Sequence, residues 1–293
     1  MMELIECKNL CKNYKDKSAL KDVNVTFEKG KIYGLIGRNG AGKTTLLSIM
    51  SAQNPASGGS ITVDGEAVWE NPNALKKICF SRELNVSQTS SNGLGAMKVK
   101  EYLKIASIYY PLWDKDMAKK LVNEFELDVN KKMGALSKGM LSMVTIVVAL
   151  ASKAPYTFLD EPVAGLDVIM REYFYKLLVE EYSETGRTFI ISTHIIEEAS
   201  PMFEEVVMIK NGTLILKENT EELIASAFHV NGKAEDVDAA TEGLSKYHEE
   251  IIGRSKGVTV FLKNGEKIKE GYDVTVQPVN LQQIFVALCG MGA

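Results

Sequence analysis

The 293-residue sequence predicts an α/β fold with a parallel sheet at its centre, followed by a smaller α+β segment. Two observations support this prediction. Strand patterns alternate with helical patterns from the first residues to about residue 227, an order typical of parallel strands connected by helices. A glycine-rich turn at residues 37–44 lies between a strand and a helix, which is the setting of phosphate-binding loops.

The elements of the first part follow from local patterns. Apolar and polar residues alternate over 4–10 and 23–27, which indicates half-buried strands. An apolar run at 31–36 predicts a buried strand, and residues 44–50 a helix. Gly58-Gly59 is a turn into a strand at 61–63, and Asp64-Gly65 is a hairpin-type turn. Residues 78–80 form a short strand, and the polar stretch 84–96 is a loop.

The later elements are assigned in the same way. Helices are expected over 99–109, 114–125 and 168–182, and an apolar core helix includes residues 143–151. Strands are expected over 156–159 and 187–192, and 206–209 pairs with 213–216 around Asn211-Gly212. The last part combines strands at 229–231 and 258–262 with helices at 235–242 and 281–289. We therefore divide the chain into domains at 1–227 and 228–293, with a helical subdomain at about 84–152.

Composition excludes several classes of protein. The net charge of −4 argues against nucleic acid as the main partner. No segment approaches the roughly 20 apolar residues that span a bilayer, and the N-terminal residues do not resemble a secretory signal. The cysteine spacing matches no metal-binding pattern and fits reduced thiols in the cytoplasm; the residues are Cys7, Cys11, Cys79 and Cys289.

The turn at residues 37–44 matches the pattern G-x-x-x-x-G-K-[ST] at each fixed position. Glycines let successive backbone N–H groups curl around phosphate oxygens, and the helix that follows points its positive end at the same anion. We expect Lys43 to reach the β- and γ-phosphates and Thr44 to ligate Mg²⁺. The predicted nucleotide-binding residues here are Gly37, Arg38, Asn39, Gly40, Ala41, Gly42, Lys43, Thr44 and Thr45.

Four more motifs follow in order. They are Leu136-Ser137-Lys138-Gly139-Met140, Asp160-Glu161 at the end of a strand, Ala164-Gly165-Leu166-Asp167, and Ser192-Thr193-His194 at the end of the next strand. In this order and spacing, the sequence resembles the ATP-binding cassette (ABC) family over about residues 3–225. The resemblance implies a P-loop NTPase core of the ABC type, with an antiparallel β subdomain and a helical subdomain. It also implies a Mg²⁺-dependent ATPase with ATP and Mg²⁺ bound.

The strand-end residues have a chemical reason to be there. The Asp160 carboxylate can hold the Mg²⁺ shell, usually through water. Glu161 is placed to polarise the attacking water as general base. A neutral His194 can donate a hydrogen bond to the γ-phosphate and sense its loss. Glu161 and His194 are therefore predicted catalytic residues, and Asp160 is a predicted metal ligand together with Thr44.

The family resemblance adds residues whose roles depend on a second copy of the cassette. It implies that Ser137 and the Gly139 backbone contact the γ-phosphate bound by the other subunit, where a helix N-terminus with a hydroxyl is a natural anion site. It also implies that Asp167 lies at the subunit interface and couples the two sites. Tyr14 matches the aromatic residue that stacks on adenine in this family.

The sequence departs from the usual cassette at two places. The signature commonly reads Leu-Ser-Gly-Gly-Gln, whereas this chain has Lys138 and Met140 at its third and fifth positions. The loop that usually carries a glutamine near Mg²⁺ has Glu83 at that position, and its carboxylate can still accept a hydrogen bond from Mg²⁺-bound water. Gln88 is the alternative candidate for this role, five residues further along.

These departures, together with Arg38-Asn39, resemble the cassettes of bacterial ABC-2-type exporters. The resemblance implies an ATPase subunit that pairs with a second cassette, identical or related, and drives a separate membrane permease from the inner face of the membrane. The segment 109–113, Tyr-Tyr-Pro-Leu-Trp, is either a permease contact or a core corner between two helices. An alternative is an ABC ATPase without a membrane partner, acting in repair, translation or cluster assembly. A third interpretation makes residues 228–293 a ligand-sensing module.

Overall fold

The computed structural model describes residues 3–84, 86, 93–263 and 265–290. Its strands, in chain order, are β1 (Leu4–Tyr14), β2 (Lys17–Glu28), β3 (Ile32–Ile36), β4 (Gly58–Val63), β5 (Glu66–Ala67), β6 (Ile78–Arg82), β7 (Tyr156–Asp160), β8 (Thr188–Ser192), β9 (Glu205–Lys210), β10 (Thr213–Asn219), β11 (Ala227–Lys233), β12 (Lys246–Ile252), β13 (Ser255–Phe261) and β14 (Val274–Pro278). Its helices are α1 (Lys43–Met50), α2 (Pro72–Leu75), α3 (Val99–Tyr109), α4 (Lys115–Glu124), α5 (Lys138–Ala151), α6 (Val168–Thr185), α7 (Ile196–Ala199), α8 (Thr220–Ser226), α9 (Ala234–Ala240) and α10 (Leu281–Cys289).

The central sheet has the strand order β10-β9-β3-β8-β7-β6, and all of its pairs are parallel except β9 with β10. The residues of β3, β7 and β8 are all buried, which explains their continuous apolar runs. Because these strands run in parallel, their carboxyl ends meet at one edge of the sheet. Ser192 therefore lies in register with both Leu35 and Asp160, directly beside the turn that follows β3.

A second, antiparallel sheet has the order β2-β1-β4-β5. It shares an apolar cluster with α1 and the central sheet, to which Phe27, Tyr33 and Leu46 belong, and the rings of Phe27 and Tyr33 meet edge to face. Helices α3 to α5 follow β6, and α5 is buried throughout its second half, from Val144 to Ala151. This arrangement agrees with the expected ABC-type fold, which has an antiparallel β part and a helical part.

The third sheet, β12-β13-β11-β14, is antiparallel throughout and packs with α9 around a small valine core. Helix α10 follows this sheet but buries Leu281 and Ile284 in the large core cluster of the central sheet. The last helix therefore ties the C-terminal residues to the first part of the chain.

Most predicted elements are confirmed, with some changes in length. Strands β1 and β2 are much longer than the patterns at 4–10 and 23–27 indicated. Strands β12 and β14 and helix α8 were not predicted. The predicted loop at 84–96 lies partly outside the described residues, and within it Leu94–Ala96 form a 3₁₀ turn. In the parts of the chain that the structure describes, no helix is long and apolar enough to cross a membrane.

Candidate nucleotide site

The phosphate loop joins β3 to α1, and packing as well as ligand chemistry restricts its glycines. A Cβ on Gly37 would lie 2.5 Å from the backbone oxygen of Ile209. Gly42 has φ +115°, and a Cβ there would lie 2.8 Å from the oxygen of Ala19. An L side chain rarely adopts such a conformation. The loop therefore lies close against neighbouring backbone, with its N–H groups at the start of α1.

Lys43 extends over this loop from the first turn of α1. Its buried ammonium donates hydrogen bonds to the backbone oxygens of Gly37, at 2.7 Å, and Arg38, at 3.4 Å. Burial lowers the pKa of Lys43, and the nearby carboxylates of Glu161 and Asp160 oppose that effect. The loop thus holds a positive charge inside the turn, where an anionic phosphate would lie.

Asp160 is buried at the end of β7 and accepts hydrogen bonds from two hydroxyl groups on neighbouring elements. The Thr44 hydroxyl donates to Oδ2 at 2.6 Å, and the Ser192 hydroxyl donates to Oδ1. Hydroxyl and carboxylate oxygens are hard donors, so Thr44 and Asp160 fit Mg²⁺. Among the described residues no cluster of three or more acidic, histidine or cysteine side chains could hold a metal by itself. Mg²⁺ suits such a site because it usually takes one or two carboxylates together with substrate phosphates.

Glu161 and His194 form a pair at the same edge of the sheet. Nδ1 of His194 lies 2.6 Å from Oε2 of Glu161. Glu161 has φ +51°, an uncommon left-handed conformation for a residue with a side chain. Its backbone N–H donates to the oxygen of Ser192 at 3.0 Å, which fixes the turn after β7. Strained backbone of this kind is often found at functional sites.

A cavity of about 380 Å³ lies between the phosphate loop, Glu161 and the β1–β2 hairpin, and neither Asp160 nor His194 is among the residues that line it. It is lined by Tyr14, Lys17, Ala19, Asn39, Gly40, Gly42, Lys43, Thr44, Thr45 and Glu161. Among the predicted residues of the loop, Gly37, Arg38 and Ala41 do not line it. Sequence reasoning missed Lys17 and Ala19, although the short turn between β1 and β2 pairs Lys17 directly with Tyr14.

The residues predicted to act across the subunit interface lie outside this cavity, at the starts of α5 and α6. Ser137 caps α5, and its hydroxyl accepts a hydrogen bond from the Met140 N–H at 3.2 Å. Asp167 caps α6 in the same way through the Met170 N–H at 2.9 Å. A Cβ on Gly139 would lie 2.5 Å from the oxygen of Gly165, so the two turns are in close contact. Of the described residues that line the nucleotide cavity, none is Ser137, Gly139 or Asp167.

Two of the residues that depart from the usual cassette, Lys138 and Glu83, are in contact with each other. Nζ of Lys138 lies 3.1 Å from Oε1 of Glu83, and about half of each side chain is exposed. Glu83 also lines a cavity of about 420 Å³ together with Thr44 and Asp160. The carboxylate of Glu83 is therefore near the candidate metal residues but is paired with Lys138. The alternative candidate, Gln88, lies outside the described residues.

Comparison with known proteins identifies the family to which the chain belongs. The family model described as "ABC transporter" matches residues 20–164. The ABC transporter ATP-binding protein YtrB of Bacillus subtilis (strain 168) is 27% identical over 294 residues, which cover 98% of each chain. The petrobactin import ATP-binding protein YclP of the same organism is 30% identical over 76% of this chain and 90% of its own length.

Among solved structures, a dimeric ATP-binding cassette in a post-hydrolysis state with ADP and Pi has a TM-score of 0.62 and 25% identity. The match covers 73% of this chain and 98% of that one. The sequence motifs, the sheet order and the relatives agree. The chain belongs to the ABC transporter family, as an ATP-binding cassette protein.

Proposed function

We propose that this chain is the ATP-hydrolysing subunit of an exporter, coupled to a separate ABC-2-type membrane permease. One observation carries the ATPase part of this proposal: Lys43, Thr44, Asp160 and Glu161 meet at one edge of the central sheet, beside a cavity that Tyr14 also lines. The arrangement supplies a cation and backbone N–H groups for phosphates, oxygen ligands for Mg²⁺, a carboxylate for the lytic water, and an aromatic ring for the base.

The proposal gives each residue of the site a role in binding or hydrolysis. Lys43 and the phosphate loop bind the phosphate groups, and Tyr14 stacks on adenine. Thr44 and Asp160 would hold Mg²⁺, which neutralises phosphate charge when bound. Glu83 lines a cavity with both residues, and its carboxylate would accept a hydrogen bond from Mg²⁺-bound water. Glu161 orients and deprotonates the attacking water. His194 holds Glu161 in place, because its ring nitrogen lies within hydrogen-bond distance of that carboxylate, and it contacts the γ-phosphate.

A second copy of the cassette, or a related one, completes each site. Ser137 and Gly139 lie outside the cavity of their own chain, so their proposed contact with ATP requires another subunit. Asp167 follows Gly165 by two residues, and Gly165 is in close contact with Gly139 of the signature. ATP would then favour the closed pair because it contacts both chains only in that state, and hydrolysis would release them.

The permease contact is proposed for an apolar surface next to α3. Ile105, Ile108 and Tyr109 are exposed there and line a groove of about 580 Å³ with Pro72 and Leu75. An adjoining cavity of about 320 Å³ reaches Phe80 and Leu84 at the end of β6, close to Glu83. Within the segment 109–113, Tyr109 and Leu112 are exposed, whereas Tyr110 and Trp113 pack on the core. A segment of the permease bound here would contact the loop that leads to the nucleotide site.

Export, rather than import, is supported only by the resemblance of Arg38-Asn39, Glu83 and Lys138 to ABC-2-type cassettes, because relatives with import names also match. In this proposal the chain is a cytoplasmic protein that lies on the inner face of the membrane through its permease. The proposed domains are residues 1–227, with the helical subdomain at about 84–152, and residues 228–293.

The ATP-binding part is tested by Lys43→Ala, with Lys21→Ala as a control for removal of an exposed lysine. We expect loss of measurable ATP binding in Lys43→Ala by isothermal titration calorimetry and no change in the control, because only Lys43 lies inside the phosphate loop. Unchanged affinity in Lys43→Ala would contradict the assignment of the site.

A further inference from the structure

Lys12 is a buried cation beside the ring of Tyr14. Its Nζ lies 4.9 Å from the centroid of that ring, and it donates a hydrogen bond to the backbone oxygen of Pro55 at 2.7 Å. Only 8% of Lys12 is exposed. Over the described residues 3–84, 86, 93–263 and 265–290, no carboxylate lies within ion-pair distance of this ammonium. A buried lysine without a carboxylate partner needs another source of stabilisation, and the aromatic face is one.

The ammonium is held in a fixed position relative to the ring. Besides the bond from Lys12 to Pro55, the Asn13 N–H donates to the Ser57 hydroxyl at 3.0 Å, and the Ser57 N–H donates to the Cys11 oxygen at 2.9 Å. These bonds join the end of β1 to the segment that follows α1. Because α1 starts at the phosphate loop, the position of Lys12 is tied to the same helix that binds the phosphates.

Tyr14 also faces the nucleotide cavity. The residue is 43% exposed and lines that cavity, whereas Lys12 does not line it. Tyr14 is therefore in contact with the Lys12 ammonium and also lines the nucleotide cavity. A cation on one face attracts π-electron density, which makes the rest of the ring less negative. The negative face of a purine base is then repelled less when it stacks on Tyr14.

We propose that Lys12 is a positioning residue for nucleotide binding, which orients and polarises the Tyr14 ring for stacking on the base. The inference rests on the proposed function of the site, because it requires that Tyr14 contacts adenine. It assigns Lys12 an effect on the base and none on the phosphate chain. If Lys12 only packed as a long side chain under the hairpin, its replacement would not weaken binding of the base selectively over binding of the phosphates.

The test compares ATP with inorganic tripolyphosphate, which carries the phosphates without a base. Dissociation constants are measured by calorimetry without Mg²⁺ for the wild type, Lys12→Met, Lys12→Gln and Lys12→Arg. Gln keeps a donor for Pro55 without the charge, and Arg keeps the charge. Lys8→Met is the matched control, because Lys8 is an exposed lysine on the same strand. Thermal melting of every variant verifies that it folds.

We expect Lys12→Met and Lys12→Gln to weaken ATP binding about 3- to 10-fold, from the usual strength of a cation–π contact, with tripolyphosphate unchanged. Lys12→Arg and Lys8→Met should resemble the wild type. In a Tyr14→Ala background, Lys12→Gln should have no further effect on ATP. Equal weakening of both ligands, or no change with ATP in either neutral variant, would overturn the proposal. Failure of the proposed function is a different result: ATP would not bind the wild type, or would bind Lys43→Ala equally well.

Discussion

Helix α10 offers a sharp test of how the C-terminal residues are attached to the cassette. Ile284 is 0% exposed and belongs to the large core cluster, which also contains Leu223 and Met208. Ile284→Ala removes three carbon atoms from this packing, and such changes cost about 2–5 kcal/mol. At roughly 2–4 °C for each kcal/mol, the melting temperature should fall by about 4–20 °C.

The matched control is Val286→Ala on the same helix, because Val286 is 39% exposed and its truncation removes little buried surface. We expect that variant to melt within about 2 °C of the wild type, since partly exposed positions away from such packing change stability by only about 0.5 kcal/mol. Both variants should keep the wild-type affinity for ATP, because neither residue lines the nucleotide cavity. Equal melting temperatures for Ile284→Ala and the wild type would refute the packing of α10 on the cassette core.

Two further predictions concern the nucleotide site and the apolar groove. Lys138→Met and Glu83→Gln should affect ATPase turnover non-additively, because the two side chains form an ion pair at 3.1 Å. The coupling energy should be about 0.2–1 kcal/mol at low salt and should fall at 1 M salt, because the pair is half exposed. Strictly additive effects on turnover would show that the pair does not act in the site. Ile108→Glu should leave ATP affinity unchanged but reduce copurification with the permease, because Ile108 is 76% exposed in the groove beside α3. Lys104→Glu on the same helix is its control, and wild-type copurification of Ile108→Glu would contradict the proposed contact.

The sequence was most informative where local patterns decide the structure. The apolar runs that became β3, β7 and β8 are buried on both faces, so a continuous run is sufficient to recognise them. Strand β14 was missed because most of its residues are exposed, and β12 because charged and apolar residues do not alternate along it. Helix α8 was missed because its seven residues connect β10 directly to β11, with no loop at either end.

The same distinction holds for the candidate site. The phosphate loop, Asp160 and Glu161 could be located from sequence because each motif is contiguous and lies at the end of a strand. Lys17 belongs to no motif, and the pairing of β2 with β1 brings it to the cavity. Ser192 belongs to a predicted motif, but its contact with Asp160 follows from the pairing of β8 with β7. The contact of Lys138 with Glu83 could not be predicted either, because it depends on how α5 packs relative to β6.

The most direct test of the proposed mechanism is the mass of Glu161→Gln in solution with and without ATP, measured by light scattering after size exclusion. Removal of the general base should lower hydrolysis by about 10²- to 10⁴-fold while ATP still binds. If two identical copies pair, we expect a single chain without nucleotide and twice that mass with ATP, because Ser137 of each copy would contact the ATP of the other. A mass that stays that of one chain with ATP bound would contradict pairing between identical copies, and wild-type turnover in this variant would contradict the role of Glu161 as general base.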